Sequence, residues 1–282
     1  MKSYVPINFV PVEDDGLHLQ VVAMIGEQTV RFVVDSGASH TILASERIGR
    51  LFSDSTGRTK VDLDGKGLGQ QVESYLIEVD ELKIGKRFIH DYTAALLDLS
   101  PINELMTTYS SAPIDGILGG DLLSYMRSSI HYKKEYVTIF NKKRELRRVK
   151  YPDRSFHFIV DLDINDHGAL MLLDTGASKS VFDKERFNRF VAFEPNDLRF
   201  NDKQATGIHF EPTEHQTISV DNLAFGYLTA PPFEMLIMNL ENVNSTYARL
   251  GLPPVDGIIG NDLLDKLRAV IDYESKVLRL KD

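Results

Sequence analysis

Two short segments of this chain place a carboxylate beside a hydroxyl and a glycine. They are Asp35-Ser36-Gly37 and Asp174-Thr175-Gly176. Each follows an apolar pair, Val33-Val34 or Leu172-Leu173, and each runs on into Ala-Ser, as Ala38-Ser39 and Ala177-Ser178. One Asp-Ser/Thr-Gly alone fits any tight turn after a strand, with glycine supplying a permissive backbone. The duplication is what carries information. Two carboxylates held a few ångströms apart resist double ionisation and share a proton, so one can act as base and the other as acid. No cysteine occurs among the 282 residues, which removes thiol nucleophiles, thiolate metal sites and disulfides from consideration.

The repeat extends well beyond these tripeptides. The two aspartates are 139 positions apart (174 − 35). Val79-Asp80-Glu81-Leu82-Lys83-Ile84-Gly85 matches Val220-Asp221-Asn222-Leu223-Ala224-Phe225-Gly226 at an offset of 141 (220 − 79). At that same offset, Asp115-Gly116-Ile117-Leu118-Gly119-Gly120-Asp121 matches Asp256-Gly257-Ile258-Ile259-Gly260-Asn261-Asp262. Three anchors in one order make the chain two copies of one unit. Two copies suit a pseudo-twofold pair rather than a solenoid, which needs at least three stacked units. The expected lobes are 1–147 and 148–282, meeting in a basic stretch that holds Lys142-Lys143-Arg144 and Arg147-Arg148. In a chain of net charge −9 that stretch reads as a solvated connection rather than a nucleic-acid patch.

Each copy reads mostly as strand. β-Branched and aromatic runs predict strands over 4–12, 17–25 and 29–34, with Gly26 in a turn. In the second copy they predict strands from Phe156 to Ile164 and from Ala169 to Leu173. Short helices are expected near 44–51, 120–126, 183–190 and 261–267, with Asp121 and Asp262 as acids in a first turn. The eight histidines form no His-Glu-x-x-His motif and read as scattered. Asp161-x-Asp163-x-Asn165 begins like a calcium loop, but Asp166 and Leu172 stand where glycine and glutamate are needed.

Paired Asp-Ser/Thr-Gly loops, each followed 80 or 82 residues later by Asp-Gly-apolar-apolar-Gly, resemble the aspartic proteases of the pepsin and retropepsin group. The resemblance covers nearly the whole chain, one unit per half. It implies a mostly β, bilobal, pseudo-twofold acid-protease fold with a few short helices. It implies that Asp35 and Asp174 hold one water and one proton between them, hydrolysing a peptide bond with no metal and no cofactor. Ser36 and Thr175 would tie the two loops together across the axis. Gly37 and Gly176 would bring their N–H groups up to the carboxylates. Ala38, Ser39, Ala177 and Ser178 would complete the loops. Ile117-Leu118-Gly119 and Ile258-Ile259-Gly260 would be the strands threading them. The Gly-rich 65–69 (Gly65, Lys66, Gly67, Leu68, Gly69) would be the flap over the cleft. The partner would be a peptide or protein segment bound in extended form, and one chain would suffice for catalysis.

Alanine at 38 and 177 matches the retropepsin form of the motif. The pepsin form commonly places a hydroxyl there, donating to the carboxylate and favouring its charged state. Its absence predicts a weakly acidic optimum for activity, above about pH 3. No apolar run reaches the roughly 18 residues a membrane span needs, so no membrane or nucleic-acid partner is expected. The first residues lack a leader's apolar core. A cytoplasmic location is expected if Met1 is the native start, and export if a leader has been removed. Two other functions remain open at this level: a peptide-binding scaffold without hydrolysis, and a latent protease with an occluded cleft.

Overall fold

Runs rich in Val, Ile, Leu and Phe pack well on a pleated, buried surface. Among the described residues of the computed structural model they form three β-sheets. The structure describes residues 2–12, 16–52, 59–61, 74–108, 112–140, 156–190, 199–201, 215–226 and 228–280. An eight-stranded sheet is built from strands between residues 8 and 118, and a nine-stranded sheet from strands between 158 and 259. The third sheet joins both halves. Its five strands run in the order Lys2–Pro6, Tyr136–Phe140, Ser129–His131, Val270–Asp272, Val277–Arg279.

The same central device occurs in each of the two large sheets. Strand Gln28–Val34 pairs in parallel with Gly116–Leu118, which pairs antiparallel with Ile42–Ala44. Strand His167–Leu173 pairs likewise with Gly257–Ile259, and that strand with Val181–Asp183. The hairpins feeding these strands turn differently. Gly26 takes a φ of +55° in the first, whereas Asn165 and Asp166 both have positive φ in the second. Asparagine and aspartate tolerate that region better than other non-glycine residues, and such two-residue turns match the strand twist.

The strand expected over 4–12 is two strands. Ile7 breaks it by donating its N–H to Glu135 O (2.9 Å). Lys2–Pro6 then joins the five-stranded sheet and Asn8–Val12 the eight-stranded one. Five α-helices lie among the described residues: α1 (Ser45–Ile48), α2 (Ser100–Thr108), α3 (Gly120–Tyr125), α4 (Glu241–Arg249) and α5 (Asn261–Lys266). α1, α3 and α5 stand where expected. The segment 183–190 forms only a 3-10 turn, Phe187–Arg189. The two longest helices, α2 and α4, were not expected. They are equivalents: Asn103 in α2 bonds both the N–H and the C=O of Ile114, and Asn244 in α4 does the same to Val255. One apolar core cluster runs through both halves, with a smaller one against each of these helices.

Candidate active site

Each aspartate sits at the end of a central strand and is fixed there by the strand threading its loop. Asp35 donates its N–H to Leu118 O and Asp174 donates its N–H to Ile259 O, both at 3.0 Å. The next residue on, Gly119 or Gly260, donates its N–H to the hydroxyl of Thr41 or Ser180 (3.0 Å each). Those hydroxyls donate in turn to Asp121 (2.8 Å) and Asp262 (2.7 Å), the buried first-turn acids of α3 and α5. Tyr92 adds a hydrogen bond to the other oxygen of Asp121. Burial pushes the Asp262 carboxyl upward, against the hydrogen bonds from Ser180 and Leu263.

The glycines bring the two carboxylates together. Gly37 and Ala38 donate N–H bonds to Asp35 Oδ1, both at 2.8 Å, and Gly176 donates one to Asp174 Oδ1 at 2.8 Å. A Cβ on Gly37 would lie 2.5 Å from Cγ of Asp174, and one on Gly176 would lie 2.5 Å from Cγ of Asp35. Each glycine therefore bonds its own aspartate and abuts the other. Only a residue without a side chain fits between them.

The loops are tied to one another by four bonds. Ser36 N–H donates to Thr175 Oγ1 and Thr175 N–H to Ser36 Oγ, each at 3.0 Å. Ser36 Oγ donates to Leu173 O and Thr175 Oγ1 to Val34 O, each at 2.8 Å. Both residues are fully buried. No hydroxyl stands at Ala38 or Ala177, the positions next to the paired glycines. Among the described residues no cluster of His, Asp and Glu has the makings of a metal site.

Two histidines that looked scattered in sequence belong to this neighbourhood. His18 and His157 are 139 positions apart, the same offset as Asp35 and Asp174, and each lies between apolar residues just before its aspartate's hairpin. That shared offset was the signal available in the sequence. His18 is buried, and burial lowers its pKa to about 4 against the opposing pull of the Asp35 charge. His157 reaches across to Ser39 (Nε2 to Oγ, 3.0 Å) and holds Tyr247 OH at Nδ1 (2.7 Å). Tyr273, buried beside the aspartates, has its pKa raised, first by burial and then by the charges of Asp35 and Asp174. Asp35 is 0% and Asp174 2% exposed.

A sequence profile of aspartyl proteases matches this chain twice, over residues 21–122 and 160–263. The chain belongs to the aspartyl protease family. Each match spans one Asp-Ser/Thr-Gly loop and its threading strand. Among solved structures, the chain is similar to a retropepsin-like aspartic protease from Rickettsia conorii, at 16% identity and a TM-score of 0.33. That similarity covers 49% of this chain and 90% of the other. No curated protein sequence matches the chain.

Of the residues singled out in the sequence, the structure brings together both aspartates, both loops and both threading strands. The glycine-rich segment 65–69 and the junction at 147/148 lie outside the described residues. Asn244, which opens an Asn-Ser-Thr triplet, is engaged internally: its side-chain N–H donates to Asp183 and to Val255 O (both 3.2 Å). Among the described residues no helix is long and apolar enough to cross a membrane.

Proposed function

We propose that this chain is an aspartic endopeptidase in which Asp35 and Asp174 share one proton and activate one water. The observation that carries this reading is the interlocked pair of glycines, each bonded to one carboxylate and pressed against the other. In a pair so placed, the charged member is the base that takes a proton from water. The protonated member supplies the proton that the carbonyl oxygen, and then the leaving nitrogen, require. The shared proton belongs to the pair rather than to either aspartate alone. The substrate is an extended peptide segment, and a single chain supplies both carboxylates.

The test is cleavage of a peptide library across pH by the wild-type chain, D35N and D174N. The expected result is a bell-shaped profile with a weakly acidic optimum and near-complete loss of activity in each variant. Full activity in either variant would refute the shared dyad. A second reading, a protease whose resting cleft is occluded, draws support from the burial of both aspartates. It predicts slow or absent cleavage until the chain is processed or bound.

A further inference from the structure

The bond chain Ser39–His157–Tyr247 crosses between the two halves, and its hydrogens can be placed by elimination. Tyr247 lies in α4 and is 1% exposed. Burial, and then the nearby charge of Asp174, raise its pKa, so it keeps its proton. The only hydrogen bond its hydroxyl makes to a described residue is the 2.7 Å contact with His157 Nδ1. If His157 donated from Nδ1, the buried Tyr247 O–H would have no acceptor among the described residues, and its lost hydration would go uncompensated. Tyr247 is therefore the donor and Nδ1 the acceptor. In a neutral imidazole the proton then sits on Nε2, which donates to Ser39 Oγ at 3.0 Å. The two rings also stack, with centroids 5.4 Å apart and planes 29° from parallel.

Ser39 belongs to the Asp35 loop. Its neighbour Ala38 donates to Asp35 Oδ1, and its own carbonyl accepts the Asp121 N–H at 3.2 Å. We propose that His157 is a positioning residue: a neutral Nε2–H imidazole through which α4 of the second lobe orients Ser39, and with it the loop that carries Asp35. This rests on the aspartic-protease reading of the dyad. The arrangement is one-sided. α2 and α4 correspond at an offset of 141, which puts Met106 where the second copy has Tyr247. A thioether cannot donate to an imidazole. Consistently, Nδ1 of the equivalent His18 is buried with no hydrogen-bond partner.

Two measurements on the full chain test this. Long-range 15N–1H NMR shows which ring nitrogen of His157 carries the proton. The expected state is Nε2–H in the wild type, with the signature of a hydrogen-bonded Nδ1 acceptor that disappears in Y247F. A Nδ1–H tautomer in the wild type would overturn the proposal. The second measurement is kinetic, on a peptide the wild type cleaves. H157F removes both bonds and is expected to lower kcat roughly 10- to 100-fold with KM changed less than about twofold. H157Q keeps a donor near the Nε2 position and is expected to recover most of that loss. Unchanged kcat in a folded H157F, or loss in KM alone, would also overturn the proposal. A wild type that cleaves no peptide, even after limited processing of the chain, yet shows the Nε2–H tautomer sensitive to Y247F, would sink the protease reading and leave the cross-lobe arrangement standing.

Discussion

Ser36 and Thr175 exchange hydrogen bonds reciprocally. Each hydroxyl accepts the other's N–H at 3.0 Å and donates at 2.8 Å to the carbonyl that precedes the other's aspartate. Removing one hydroxyl therefore strands a buried N–H and a buried C=O on the opposite loop. Each group left unsatisfied costs about 1–3 kcal/mol. S36A and T175A are each expected to lower the urea midpoint clearly, with an unchanged m value. T175S keeps the hydroxyl and is expected to stay within about 1 kcal/mol of wild type. Equal loss in T175S and T175A would mean that the methyl, not the hydroxyl, matters.

The glycines make a sharper prediction. G37A and G176A each place a Cβ 2.5 Å from a carboxyl carbon of the opposite loop. Neither aspartate can retreat freely, since each is bonded to amides on its own side. Both variants are expected to abolish cleavage and to lower the melting temperature. Retained activity in both would show that the two carboxylates are not held in contact across the glycines.

His18 gives the fold an acid-sensitive component with a definite sign. In the unfolded chain its imidazole binds a proton near 6.5, whereas in the folded chain burial lowers that value to about 4. Between these values the unfolded state binds more protons, so stability falls as the pH falls. The contribution is intact above about 6.5 and lost progressively down to about 4, to a limit of about 3 kcal/mol. H18Q does not titrate in this range. Comparing urea midpoints at neutral pH and near pH 4.5, the wild type is expected to lose more than H18Q. Parallel losses would place the acid sensitivity elsewhere.

Much of the site was legible because its chemistry is local in sequence. Asp35-Ser36-Gly37 and Asp174-Thr175-Gly176 each hold a carboxylate, a tying hydroxyl and a bare backbone in three consecutive positions. The expected helices that formed, α1, α3 and α5, follow those loops or the Gly-rich segments. Helices α2 and α4 escaped notice because their sequences, Ser-Pro-Ile-Asn-Glu and Glu-Asn-Val-Asn-Ser, are rich in residues of middling helix propensity. What anchors them lies beyond the helix itself: an asparagine in each binds the backbone of a strand lead-in 11 positions on, at Ile114 or Val255. The division of 4–12 into two strands has a longer-range cause, since the acceptor that breaks it, Glu135 O, is far away in sequence. The histidines carry no local motif and read as scattered. Considered by offset, His18 and His157 would have stood beside the aspartates.

In the five-stranded sheet, Ile130 faces Ile271, while Ser129 faces Asp272 and His131 faces Val270. These residues are equivalents at the offset of 141, so the central pair is one position meeting its own counterpart. The contact is isologous, the kind that two separate identical chains make. In such a pair of chains every substitution is made twice and must suit both sides of the axis. Joining the copies in a single chain lifts that constraint. One copy can carry Tyr247 and Asn261 where the other carries Met106 and Gly120. Asn261 uses this freedom, accepting from Tyr132 OH (2.6 Å) and donating to Leu17 O and Thr175 O (2.8 Å each). At Gly120 even a Cβ would come within 2.7 Å of Phe156. Fusion thus lets the two sides of one symmetric frame take up different work.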